Sequence, residues 1–170
     1  GLDGAGVVDA GAFERKLEGA AGRGTLPTMV SVQWANNETG AVQPVERIAG
    51  LCAARGVVFH CDATQWVGKE PTEMEKLGAA LVTFSPHKFH GLKGVGCLWM
   101  RRGTRLRPTV QGTQEMGRRG GTENVPGILA AGAAAEEAMV WLAKSRERER
   151  LALLRDRLEA GVLERAQAAG

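Results

Sequence analysis

A chain of 170 residues, 44% apolar and 24% charged, has room for one packed core and not for two large domains. A net charge of only +3, scattered arginines and an aromatic content of 5% with no tyrosine argue against a nucleic-acid-binding face. Three widely spaced cysteines, Cys52, Cys61 and Cys97, without C-x-x-C pairing argue against a zinc site or disulfide framework and for a reducing, cytoplasmic setting; no metal is expected.

In chain order, Val7–Val8 reads as a short β-like stub, followed by an amphipathic stretch over Ala12–Ala21 with Phe13 and Leu17 one turn apart. Thr28–Trp34 is rich in β-branched residues and ends in the polar turn Asn36–Gly40. Pro44 is placed to start a helix, Val45, Ile48, Leu51 and Cys52 recur at helical spacing, and Gly56 closes it. Val57–Cys61 is the next strand, with Asp62 at its end. A loop over Gly68–Pro71 and a short helix near Glu73–Leu77 lead to a third strand, Ala80–Ser85, which runs into Pro86-His87-Lys88. A Gly-rich turn precedes a fourth strand, Gly94–Met100.

From Val125 the pattern is helical. Ile128, Ala131, Ala135, Met139 and Leu142 form one apolar stripe, and Leu151, Leu154, Leu158 and Val162 another, separated by charged Lys144–Arg150. No apolar run approaches membrane-spanning length, and Gly1–Gly6 does not read as a signal peptide. Strands alternating with helices predict the α/β class, with a mostly parallel sheet flanked by helices and a long C-terminal helix. In such sheets ligands gather at the carboxyl ends of the strands, where Asn36–Gly40, Asp62–Gln65 and Ser85–Lys88 all fall.

Lys88 follows an apolar strand and is flanked by Ser85, His87 and a Gly-rich turn, which makes it a candidate Schiff-base lysine; a loop lysine is otherwise simply solvated. Asp62 gives Lys88 a chemical context. A carboxylate fixed against a pyridine nitrogen keeps that ring protonated and able to accept electrons, although an Asp at a strand end also serves as a cap or turn former. Gln65 could reach a phenolic oxygen or stand as an exposed loop amide. Ser85 and His87 offer a hydroxyl and an imidazole suited to phosphate oxygens. Asn37 is open between stabilising its own turn and touching a ligand. His60 shares a strand face with Asp62 and reads as a packing or supporting residue. His90 has no assigned role.

QWANNETG at Gln33–Gly40, HCDATQWVGK at His60–Lys69, SPHKFHGLKGVG at Ser85–Gly96 and QEMGRRGGTEN at Gln114–Asn124, in this order and spacing, resemble the cysteine desulfurase and selenocysteine lyase group of class V aminotransferases. The resemblance runs from about Gly1 to beyond Ala135. It implies part of the large domain of a fold-type I pyridoxal phosphate (PLP) enzyme that removes sulfur from L-cysteine, or selenium from selenocysteine, and releases alanine. It implies that Lys88 carries the cofactor and shuttles protons, Asp62 pairs with the ring nitrogen, Gln65 bonds the phenolic oxygen, and Ser85 and His87 hold the phosphate. Asn37 then lies near the phenolic oxygen and the substrate carboxylate. Thr122 is similar to a threonine that reaches the phosphate of the partner subunit's cofactor, implying a homodimer. The implied product is an enzyme persulfide passed to a sulfur-acceptor protein, as in iron–sulfur cluster assembly. By the same reading, residues 1–124 are a partial cofactor-binding domain and 125–170 a helical segment leading toward a small domain. The persulfide cysteine and the substrate-binding arginine would lie after Gly170, and a phosphate-binding turn and ring-stacking histidine before Gly1.

Three features depart from the family pattern: Val110-Gln111-Gly112-Thr113 stands where a glycine run is usual, the connection from Arg107 is a few residues shorter than usual, and Trp66 stands where a small residue is common. Other readings are a class V aminotransferase acting on a small amino acid and a non-catalytic dimerisation or docking module. Arg146, Arg148, Arg150, Arg155 and Arg157 alternate with Glu147, Glu149, Asp156 and Glu159, which suits a solvated helix face better than a nucleic-acid surface.

Overall fold

The computed structural model describes residues 1–168. Its centre is a four-stranded sheet in sequence order: β1 (Met29–Gln33), β2 (Val58–Asp62), β3 (Leu81–Phe84) and β4 (Cys97–Met100). The first three strands run parallel and β4 returns antiparallel to β3, so the mostly parallel sheet of the α/β class is what the chain forms. Helix α1 (Ala10–Gly22) starts on Asp9, whose carboxylate accepts the Ala12 N–H at 2.9 Å. Helix α2 (Val45–Ala53) begins immediately after Pro44 and ends before Gly56, whose φ of +68° lets the chain turn into β2.

Strand alternation decides where the core lies. Phe59 and Cys61 of β2 and Val82 of β3 are buried against Ile48, Ala49 and Cys52 of α2 and Leu17 of α1. His60 and Asp62 therefore point to the opposite face. Cys52 and Cys61 are buried as the sequence suggests, whereas Cys97, near the sheet edge, is only half-buried. The expected helix near Glu73–Leu77 is instead a pair of turns, with Lys76 and Leu77 both donating to the Glu73 carbonyl. Arg101 holds this segment by donating to the carbonyls of Ala79 and Glu75 at 3.0 and 2.9 Å, so tertiary bonds replace a helix ladder.

The C-terminal part holds α4 (Val125–Leu142) and α5 (Ser145–Ala168), after an irregular turn, α3 (Gln114–Gly117), in which Glu115 and Met116 are left-handed. Positions 169 and 170 of the expected helical segment lie outside the described residues. The expected apolar stripes are not the buried faces. In α4 the buried residues are Gly127 and Ala134, while Ile128 and Met139 stand exposed, and Leu151, Leu154, Leu158 and Val162 of α5 are exposed too. The helix packs against the turn Pro86–Phe89, and at its start Gly127 lies so close to Val95 and Asn124 that a Cβ would fall 2.6 Å from each. One further correction concerns length: α4, with 18 residues and a mean hydropathy of 1.3, is long and apolar enough to cross a membrane by those measures. A core helix passes the same test, and α4 carries Glu136 and Glu137 side by side.

One contact couples the loop after β2 to the turn that carries Lys88. Gly68 has φ +80°, and a Cβ there would lie 2.5 Å from Cγ of Phe89. Gly68→Ala should therefore cost about 2–4 kcal/mol in denaturant unfolding, from left-handed backbone strain plus overpacking. Gly56→Ala, equally left-handed but with nothing within 4 Å of its Cβ, should cost only the backbone share, about 1–2 kcal/mol, and Phe89→Ala should relieve part of the Gly68→Ala penalty.

Candidate active site

The carboxyl ends of the three parallel strands are in register. Gln33 pairs with Asp62, and Asp62 with Thr83. The ladder continues just past the strands, where Trp34 N–H donates to the Asp62 carbonyl and Ala63 N–H to the Thr83 carbonyl, both at 2.8 Å. This aligned rim carries Asp62 at its centre. Asp62 Oδ1 accepts the Thr64 N–H at 3.0 Å, a local bond that fixes the carboxylate as the chain leaves the strand.

Gln65 lies in the next turn, and its Oε1 accepts from Lys69 Nζ at 2.6 Å. Burial pulls the Lys69 ammonium below the ordinary lysine range, and the charge of Lys88 pulls it further in the same direction. Lys69 thus joins Gln65 by a hydrogen bond and Lys88 by electrostatics. In the sequence, the signal for this role of Lys69 is its i,i+4 spacing from Gln65.

Lys88 lies on the short 3₁₀ turn Pro86–Phe89, which begins at Ser85 and is closed by Lys88 N–H donating to the Ser85 carbonyl at 3.0 Å. The Lys88 and His87 side chains are exposed and Ser85 is half-buried. Among the described residues no hydrogen bond or ion pair engages the Lys88 ammonium. Lys88 lines an open groove of about 720 Å³ together with Lys69, His90, Glu137, Trp141 and Arg155; Asp62, Gln65, Ser85 and Asn37 do not line it. The groove is bounded by an ion pair between Arg148 of α5 and Glu70 at 2.9 Å, which removes one arginine from the expected solvated face.

Asn36, not Asn37, stabilises the turn after β1: its Oδ1 accepts the N–H groups of Glu38 and Thr39 at 2.8 and 2.9 Å. Asn37 is exposed and donates to Glu38 Oε1 at 2.6 Å. Thr122 is exposed in the loop before α4, and the adjacent helix is capped by Asn124, whose Oδ1 accepts the Gly127 N–H at 3.2 Å. Trp66 finds space by stacking on Trp34, with ring centroids 4.5 Å apart and planes at 10°. Its stack ties the end of β1 to the turn after β2.

The aminotransferase class V family model matches residues 6–167. A cysteine desulfurase from Gluconacetobacter diazotrophicus is 45% identical over 166 residues, which are 97% of this chain and 40% of that protein. The cysteine desulfurase NifS of Azotobacter vinelandii is 47% identical over 136 residues, covering 79% of this chain and 33% of that one. A solved NifS-like protein superposes with a TM-score of 0.85 at 37% identity, over 96% of this chain and 43% of its own. SspA, solved in complex with cysteine, superposes with a TM-score of 0.72 at 31% identity, over 79% of this chain and 38% of its own. The chain thus spans about two fifths of the length of the curated relatives it matches.

The Lys69–Lys88 coupling can be measured. In Lys88→Ala the Lys69 amine should titrate at higher pH than in the unaltered chain, because a like charge is gone. It should still titrate below an ordinary lysine, because burial is the larger cause. Side-chain NMR titration of the labelled lysines reads both.

Proposed function

The chain belongs to the aminotransferase class V family, and we propose that the whole protein is a PLP-dependent cysteine desulfurase, with Lys88, Asp62 and Gln65 at its cofactor site. Members of that family, the cysteine desulfurases included, are pyridoxal phosphate enzymes. The observation that carries the reading is the registered rim: Asp62 at the centre of three aligned parallel strand ends, with the Lys88 turn following the third.

The residues fit the cofactor on chemical grounds. Asp62 offers a carboxylate, one oxygen of which is anchored by Thr64, for a protonated ring nitrogen. The Gln65 amide has its oxygen occupied by Lys69, and a lysine can only donate, so Nε2 is left as the donor that an anionic phenolic oxygen requires. Ser85 and His87 supply a hydroxyl and a ring N–H for phosphate oxygens, and Thr122 would serve the phosphate of a partner subunit's cofactor. Asn37 would serve the phenolic oxygen and substrate carboxylate. When bound, the cofactor supplies an electron sink for bond cleavage at the amino acid. The chain's part is to keep the ring nitrogen protonated through Asp62 and to orient the phenolic oxygen through Gln65. Lys88 provides an amine for attachment and for moving protons.

The finer reading is that sulfur leaves as an enzyme persulfide and passes to an acceptor protein, in a cytoplasmic homodimer serving iron–sulfur cluster assembly. It also holds that residues 1–124 belong to the cofactor-binding domain and 125–170 lead to a smaller one. Cysteine desulfurase relatives support cysteine as substrate over selenocysteine.

The full-length protein should be yellow, bleach on borohydride reduction, and carry the pyridoxyl label on Lys88; a label on Lys69 or Lys93 would overturn the assignment. Asp62→Asn should retain cofactor while cysteine-dependent sulfide and alanine formation falls by about a hundredfold or more. Transamination of a small amino acid without sulfide release would favour the aminotransferase reading.

A further inference from the structure

The Asp62 face of the sheet holds a polar bridge that the proposed function leaves unused. His60 lies two residues before Asp62 on the same side of β2, about 6.5 Å back along the strand. Its Nδ1 meets Ser31 Oγ of β1 at 2.7 Å and its Nε2 meets Thr83 Oγ1 of β3 at 3.0 Å. One imidazole therefore spans three adjacent strands. Ser31 is directly opposite His60 in the β1–β2 register, and Thr83 is directly opposite Asp62 in the β2–β3 register. Both ring nitrogens are thus taken sideways, across the sheet, and neither bonds Asp62.

This geometry has a chemical consequence. Hydroxyls donate and accept, so Ser31 and Thr83 satisfy a neutral imidazole in either tautomer. The ring needs no proton from solution and no carboxylate to be fully bonded. Burial lowers the His60 pKa more than the neighbouring Asp62 charge raises it, which acts in the same direction. An imidazole released from its two hydroxyls would be left with the Asp62 carboxylate, on the same face of β2, as the neighbouring charge that favours its protonated form. A charged pair there would leave less of the Asp62 charge for any other cation.

On the footing of the proposed function, we propose that His60 is a positioning residue for Asp62: the Ser31–His60–Thr83 bridge aligns the rim and keeps the imidazole from pairing with the carboxylate that the cofactor's ring nitrogen needs. The titratable and charged group facing His60 within the bridge is Asp62 alone; β1 and β3 present hydroxyls.

The test uses the full-length holoenzyme loaded with pyridoxal phosphate labelled at the ring nitrogen, whose NMR shift reports protonation directly. His60→Gln keeps a neutral donor and acceptor; it should retain a protonated ring nitrogen and kcat within about threefold. Thr83→Val, which frees Nε2, and His60→Lys, which sets a cation beside Asp62, should move the nitrogen shift toward the neutral ring. In both, kcat should fall about tenfold or more with KM within about threefold. An unmoved shift and unchanged kcat in Thr83→Val and His60→Lys would overturn the inference; if His60→Lys does not fold, Thr83→Val decides alone. An unaltered enzyme that binds no cofactor would sink the proposed function, and this inference with it. A normally loaded enzyme with indifferent variants would sink only the inference.

Discussion

The parallel register of β1, β2 and β3 is the constraint on which the rest of the site depends. Side chains on parallel strands share a rim only if their backbones are aligned to the residue, because a slip of one position sends every side chain to the other face. Here the alignment is set by ladder bonds running one residue past the strands, at Trp34 and Ala63, and by the apolar Phe59, Cys61 and Val82 facing helix α2. Burial of the odd-numbered positions of β2 is what turns His60 and Asp62 outward. The chemistry of one face is thus a consequence of the packing of the other.

A second layer of order comes from contacts between loops. Phe89 packs over Gly68, Trp66 stacks on Trp34, and Lys69 bonds Gln65. The first two each join two of the three segments that leave the rim, and the third lies within the segment after β2. The polar groups therefore sit on turns braced against one another, with α4 resting against the Pro86–Phe89 turn from outside. Arg148 on α5 adds a tie to Glu70 across a separation of 78 residues.

Much of this was legible in the sequence. Alternation and β-branching marked all four strands within a few residues, and the polar clusters at their ends marked the rim. Other features were not legible because they depend on partners distant in the chain. Glu73–Leu77 has helical spacing, but the Arg101 bonds to the carbonyls of Glu75 and Ala79 impose turns. The stripes on α4 and α5 follow hydrophobicity, yet the buried residues of α4 are Gly127, set close against Val95, and Ala134. Trp66 departs from the family's usual small residue, and only its stack on Trp34 explains how the turn accommodates it. Asn36 and Asn37 are adjacent amides of equal propensity, and backbone direction alone decided which one caps the turn.

The sheet has two outer borders, the far sides of β1 and β4, and each presents a row of backbone N–H and C=O groups unpaired among the described strands. Such borders template the addition of further strands, and nature blunts them with charge, proline or a covering element. β1 reads Met-Val-Ser-Val-Gln and β4 Cys-Leu-Trp-Met, with no charge or proline in either, and both Met29 and Leu98 are exposed. Lateral growth is thus built into the segment as a physical tendency. Handled alone at high concentration it is poised for edge-to-edge self-association, and a lysine at Ser31 would blunt one border only by breaking the bridge to His60.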